Sequence, residues 1–173
     1  MARPLRIEYP GAFYHVINRG NEDEDIYRSV RDRRKFLEYV EDAVCRYSLS
    51  NHSYCLMPNH YHLLIEAHEA NLSKSIQWLN VSYATYFNNK YQRSGHLFQG
   101  RFKSLLVDAD EYLKELSRYI HLNPVRANLV SDLETISGAV VVHLLVKKNR
   151  HSGYKHTGCF HNSEEPKKKH GKT

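Results

Sequence analysis

Residues 57–66, MPNHYHLLIE, constrain this chain more than any other stretch. Pro58-Asn59 is a turn signal that opens directly into His60-Tyr61-His62 and the apolar run Leu63-Leu64-Ile65, which reads as a buried strand. Strand side chains alternate between faces. His60 and His62 therefore project to one side, roughly 7 Å apart at Cα, while Tyr61, Leu63 and Ile65 project to the other and belong to a core. Two imidazoles on one rigid face can converge on a divalent metal. Histidines at this spacing also occur as ordinary structural residues, so the spacing alone does not choose between the two roles.

The elements around this strand follow in order. Residues 13–19, after Pro10-Gly11, are β-rich and end at Gly20-Asn21. The acidic residues 22–25 form a loop. Ser29 or Asp32 caps a helix to about Arg46, with Phe36, Leu37, Val40, Val44 and Tyr47 at helical spacing. Its other face, with Arg31, Arg33, Arg34 and Lys35, reads as solvated surface. Residues 52–57 form a strand that makes a hairpin with the histidine strand. Asn71 or Ser73 begins a second helix to about Asn88, with Ile76, Leu79, Tyr83, Tyr86 and Phe87 on one stripe. After Gly95, residues 97–107 read as a fourth strand, bent or bulged at Gly100. Asp108 or Asp110 caps a third helix over 111–122, limited by Pro124. The order β-α-β-β-α-β-α predicts an α+β fold, a ferredoxin-like split βαβ antiparallel sheet. Helices lie on both faces: the first two on one, and the third on the histidine-bearing face.

Charge divides the chain. Of the net +6, residues 147–173 hold all, with eight Lys/Arg against two Glu, while residues 1–146 carry 17 charges of each sign. Basicity is thus a property of the tail, and a nucleic-acid role must come from local clusters. The chain reads as one domain over 1–130 followed by a divergent basic extension over 131–173, within which 137–146 is a short apolar run that suits a strand and 147–173 is poorly structured. No apolar stretch approaches the ~20 residues that span a membrane, and the N-terminus has no apolar signal core. Cys45, Cys55 and Cys159 are odd in number and widely spaced, which suits a reducing compartment. His151, His156, Cys159 and His161 match no standard zinc-ligand spacing.

In the third helix Tyr119 and Asn123 lie four apart and share a face, with Tyr112 two turns before Tyr119 on roughly the same side. A phenol can serve as a covalent nucleophile near a metal-bound electrophile, and either tyrosine can equally be helix packing. Asn123 precedes a proline and so sits at the helix end, where its carboxamide can cap or can face a metal.

Four segments together carry a resemblance: Tyr14 to Asn21, YHVINRGN; Leu56 to Leu64, LMPNHYHLL; Gly95 to Ser104, GHLFQGRFKS; and Arg118 to Ala127, RYIHLNPVRA. Over about residues 4–130 the chain resembles the single-tyrosine transposases of the HUH superfamily, of bacterial insertion-sequence type, and looks closest to the REP-associated tyrosine transposases. It departs from them after Val130, where a tryptophan-containing segment is usual and this chain's only tryptophan is Trp78. The resemblance implies a metal-dependent enzyme that nicks and rejoins single-stranded DNA. His60 and His62 would hold Mg²⁺ or Mn²⁺, Asn123 would face the metal, and Tyr119 would be the nucleophile, leaving a 5′-phosphotyrosine and a free 3′-hydroxyl. Arg19, Arg101 and Lys103 are candidates for phosphate contacts. His121 and His15 are candidates for the base that takes the phenol proton. The implied partner is single-stranded DNA carrying a palindromic hairpin, in the nucleoid of a bacterial cytoplasm, with no membrane. Whether a homodimer shares the site between chains stays open. The reading from a different class is a non-catalytic protein that holds a DNA or RNA hairpin on a ferredoxin-like sheet.

Overall fold

The computed structural model describes residues 6–107 and 141–144. Five strands form one antiparallel sheet in the order β4-β1-β3-β2-β5. These are β1 (Ala12–Arg19), β2 (Leu49–Leu56), β3 (His60–Ala67), β4 (Lys103–Val107) and β5 (Val141–Leu144). Helix α1 (Val30–Tyr47) joins β1 to β2, and α2 (Leu72–Tyr91) joins β3 to β4. The first four strands with these two helices are the expected ferredoxin-like arrangement, and β5, inside the apolar run after residue 137, extends it at the β2 edge. The expected third helix, with Tyr112, Tyr119, Asn123 and its expected placement over the histidine face, falls outside the described residues, as do the basic tail and its His/Cys group.

Alternation along β1, β2 and β3 builds the core. Tyr14 and Val16, Tyr61, Leu63 and Ile65, and Leu56 pack with Phe36 and Val40 of α1 and with Ile76, Leu79, Tyr83 and Phe87 of α2. Tyr61 is wholly buried, its ring 4.8 Å from that of Phe36, and its hydroxyl donates to Asn80 Oδ1 at 2.7 Å. Both helices therefore cover the face that Tyr61, Leu63 and Ile65 present, as the alternation predicts.

Of the alternative caps, Ser29 starts α1: its side chain accepts from the Asp32 N–H, and Ser48 ends the helix in the left-handed conformation. Asn71 occupies the cap position of α2, although its amide nitrogen donates to Tyr47 O at 3.0 Å rather than capping the helix. Asp32 is fully buried and ties the two helices together. It accepts from Lys90 Nζ at 2.5 Å, the Tyr91 hydroxyl at 2.7 Å, the Ser29 hydroxyl at 2.9 Å and the Arg28 N–H at 3.0 Å. Burial alone would raise its pKa; these donors outweigh it and hold the carboxyl below its ordinary value.

Two expectations are corrected. Residues 97–107 are not one strand: the ladder begins at Lys103, and 97–102 form an arm held by one bridge, Gly20 to Phe98, and by Gln99 N–H to Arg19 O at 3.0 Å. Adjacent Leu97 and Phe98 are both buried, which a regular strand with one apolar face cannot achieve. Arg33 is also not solvated. It is 7% exposed, with its guanidinium 5.5 Å from the Tyr27 ring, because it lies three residues before Phe36 on the buried stripe of α1.

Candidate active site

Pairing register fixes what shares the second face of the sheet. Ile17 lies opposite His62, and Arg19 opposite His60, across β1 and β3. Cys55 of β2 lies opposite His62, and Lys103 of β4 lies opposite Ile17. Directly paired residues point the same way, so His60, His62, Arg19 and Lys103 belong to one face, away from both helices. His15, two residues from Ile17, joins them.

The imidazoles form a chain of contacts. The rings of His60 and His62 are 5.1 Å apart, as are those of His15 and His62, the latter pair stacked. His15 Nε2 and His62 Nδ1 share a hydrogen bond of 2.9 Å. His60 Nδ1 lies 2.7 Å from Asn59 Oδ1. A carbonyl oxygen only accepts, so the proton of neutral His60 sits on Nδ1 and its Nε2 presents a lone pair. Burial lowers all three histidines, His15 to about 4 and His62 to about 3; at His60 the neighbouring Arg19 adds to the lowering by burial and Asp23 opposes it. They stand neutral at physiological pH, the protonation state of a metal-ligating imidazole.

Two neutral nitrogen donors on a rigid strand, each with a hydrogen-bonded second nitrogen, fit the ligand chemistry of Mn²⁺ and accommodate Mg²⁺ less readily, since the latter favours oxygen. Among the described residues no group of three or more His, Cys, Asp or Glu side chains is arranged to hold a metal ion. The histidine pair by itself offers two nitrogen donors, short of a full ligand set.

The other expected residues are placed as follows. Arg19 is exposed and ion-paired with Asp23 at 3.0 Å. Lys103 is exposed at the start of β4, and Arg101 is exposed on the arm that precedes it. Tyr119 and Asn123 lie outside the described residues. Sequence reading missed Asn59 as the partner of His60, although its adjacency was the available signal. It named His15 only as a candidate base, whereas the register makes His15 the neighbour of His62. No linear pattern carries that contact, because 47 residues separate the two.

The described residues form a split βαβ sheet with an imidazole pair on the face opposite its helices. The chain belongs to the IS200-like transposase family, which matches residues 9–123, and it is a transposase, an enzyme of DNA cleavage and transfer. Among solved structures it is similar to a REP-associated tyrosine transposase bound to a REP hairpin. That likeness has 14% identity and a TM-score of 0.65, and covers 79% of this chain and 81% of that one. It is also similar to a protein from Deinococcus radiodurans provisionally assigned as a transposase, with 16% identity and a TM-score of 0.48, covering 69% of this chain and 94% of that one. No curated protein sequence matches the chain. Among the described residues no helix is long and apolar enough to cross a membrane.

Proposed function

We propose that this transposase nicks and rejoins hairpin-bearing single-stranded DNA through a covalent tyrosine intermediate, with Tyr119 as nucleophile and His60 and His62 as ligands of a divalent metal, Mn²⁺ or Mg²⁺. The observation that carries the reading is the pair His60 and His62, neutral and side by side on the sheet face that both helices leave open, with His60 held as the Nε2-presenting tautomer by Asn59. The hairpin in the similar REP-associated transposase supports the choice of substrate.

A bound metal would supply charge stabilisation at a non-bridging oxygen of the scissile phosphate. The chain supplies the rest. Arg19, Lys103 and Arg101 hold the neighbouring phosphates. The Tyr119 phenol loses its proton and its oxygen attacks phosphorus. As the Tyr–O–P bond forms, the bond from phosphorus to the 3′-oxygen breaks, leaving a 5′-phosphotyrosine and a 3′-hydroxyl. Attack by another 3′-hydroxyl reverses the step and returns the phenol, so no nucleotide triphosphate is needed. Asn123, four residues beyond Tyr119, adds an oxygen ligand to the two nitrogens. Of the two candidate bases, His15 is bonded to His62 and its basicity is suppressed by burial, which favours His121. Residues 1–130 form the catalytic domain. Within the extension over 131–173, the basic tail 147–173 adds sequence-independent, salt-sensitive affinity, and the protein works in the nucleoid of a bacterial cytoplasm.

The test is incubation with hairpin-bearing single-stranded oligonucleotides and Mn²⁺, followed by denaturing electrophoresis. A protein–DNA adduct that survives denaturation and disappears in Tyr119→Phe is expected. An adduct that persists in Tyr119→Phe and maps to Tyr112 would overturn the assignment. Mixing Tyr119→Phe with His60→Ala protein asks whether two chains share a site: restored cleavage means that a homodimer does.

A further inference from the structure

The described residues enclose a cleft of about 720 Å³ on the side of the sheet away from the histidines, between α2 and the arm over 97–102. Gln77, Asn80, Val81 and Ala84 line it from α2 at helical spacing, with Val81 60% exposed. Leu97, Phe98 and Phe102 line it from the arm. Two cations stand at its rim, Arg6 and Arg101, and none of the described lining residues is acidic. The Arg6 guanidinium lies 3.6 Å over the Phe102 ring and donates to Phe102 O and to Ser73 Oγ. Burial lowers the pKa of Arg6 and the like charge of Arg101 lowers it further, with Glu8 opposing. Glu8, which accepts from the Ser73 N–H and hydroxyl, offsets part of the charge at Arg6. The two guanidiniums still leave the rim net positive, which favours an anion beside Arg101. Tyr61 occupies Asn80 Oδ1, so the carboxamide offers its Nδ2 as a donor.

The cleft and the histidine face are linked through the arm over 97–102. The arm that walls the cleft hangs on Arg19, which pairs with His60. Lys103, on the histidine face, is two residues from Arg101, a separation of roughly 7 Å in extended chain. Lys103, Arg101 and Arg6 thus mark a basic path over the β4 edge.

We infer that the cleft seats one unpaired nucleotide of the DNA strand engaged at His60 and His62, with a phosphate beside Arg101 and the base against the wall formed by Asn80, Val81 and Ala84. This rests on the reading of the chain as a single-strand transposase. An apolar wall beside a cationic rim is the arrangement that takes up a base and its phosphate together.

The test uses labelled DNA hairpins with and without a short single-stranded extension, titrated in metal-free buffer and read by fluorescence anisotropy. Val81→Glu and Gln77→Glu each place a negative charge at the cleft wall on an exposed helical position. Each should weaken binding of the extended hairpin about tenfold and leave the blunt hairpin unchanged. Arg31→Ala, on the exposed side of α1, should change neither. If Val81→Glu loses its helical circular dichroism, Gln77→Glu, which keeps the side-chain shape, carries the comparison. Equal weakening toward both hairpins, or no weakening in either variant, overturns the cleft while leaving the transposase reading intact. Failure of the wild-type protein to bind either hairpin overturns both.

Discussion

His15 and His62 meet across neighbouring strands, Nε2 to Nδ1 at 2.9 Å, with their rings stacked. The direction of that bond decides whether His62 can ligate. If His62 donates from Nδ1, its Nε2 keeps a lone pair for metal; if His15 donates, the His62 proton lies on Nε2 and blocks it. An acceptor at position 15 therefore belongs to a competent site. His15→Ala should weaken Mn²⁺ binding by about tenfold or more, measured by titration calorimetry. His15→Gln, which retains an acceptor oxygen, should recover part of it. Nitrogen-15 shifts of His62 in the metal-free protein should report an Nδ1 proton in the wild type. Wild-type Mn²⁺ affinity in His15→Ala would remove this role.

Acid should destabilise the metal-free protein in a definable window. His15 and His62 are held at about 4 and 3 in the folded chain, against about 6.5 when unfolded. Below pH 6.5 the unfolded chain takes up protons that the folded chain refuses, so stability is full above that pH and falls as the pH drops toward 4. The Asp32 carboxyl, lowered in the fold, adds a loss in the same direction at lower pH. Thermal melts between pH 7.5 and 4 should show a falling midpoint, with a shallower slope in His15→Gln; a flat profile would contradict this.

His60→Ala should abolish Mn²⁺-dependent cleavage with little change in the fold, because the half-buried ring lies on the face away from the hydrophobic core. His62→Ala should abolish it too, with a lower melting temperature, since it removes a buried ring and strands His15. Cleavage at the wild-type rate by either variant in chelator-treated buffer would contradict metal ligation.

Asp32→Ala should cost about 2–3 kcal/mol. It leaves Lys90 and the hydroxyls of Ser29, Tyr86 and Tyr91 without their shared acceptor, and the loss is moderated because Lys90 is 29% exposed and can reach water. Chemical denaturation with an unchanged slope and a lower midpoint is the expected result. A midpoint within error of wild type would mean the cluster adds nothing net.

Much of this was legible in the sequence because it is local. Hydrophobic period placed both helices, and alternation at Tyr61, Leu63 and Ile65 assigned the two faces of β3. The arm over 97–102 was not legible as such. Its apolar residues resemble a strand, but they turn into the core on both sides of the backbone, and only tertiary packing distinguishes these cases. Arg33 was misread because a charge on a helix is normally solvated, and its burial depends on an aromatic neighbour, Tyr27, from the preceding loop. The contact of His15 with His62 depends on strand register, which is set by two segments far apart in the chain.

The placement of β1 has a consequence for biogenesis. It leaves the ribosome before the other four described strands, yet both its neighbours, β3 and β4, come later, and β4 ends only at Val107. An apolar strand waiting between two empty edges is exposed to wrong partners throughout that interval. Synthesis pauses placed before residue 107 should therefore lengthen dependence on chaperones, whereas pauses beyond it should matter far less to the β4-β1-β3 part of the sheet.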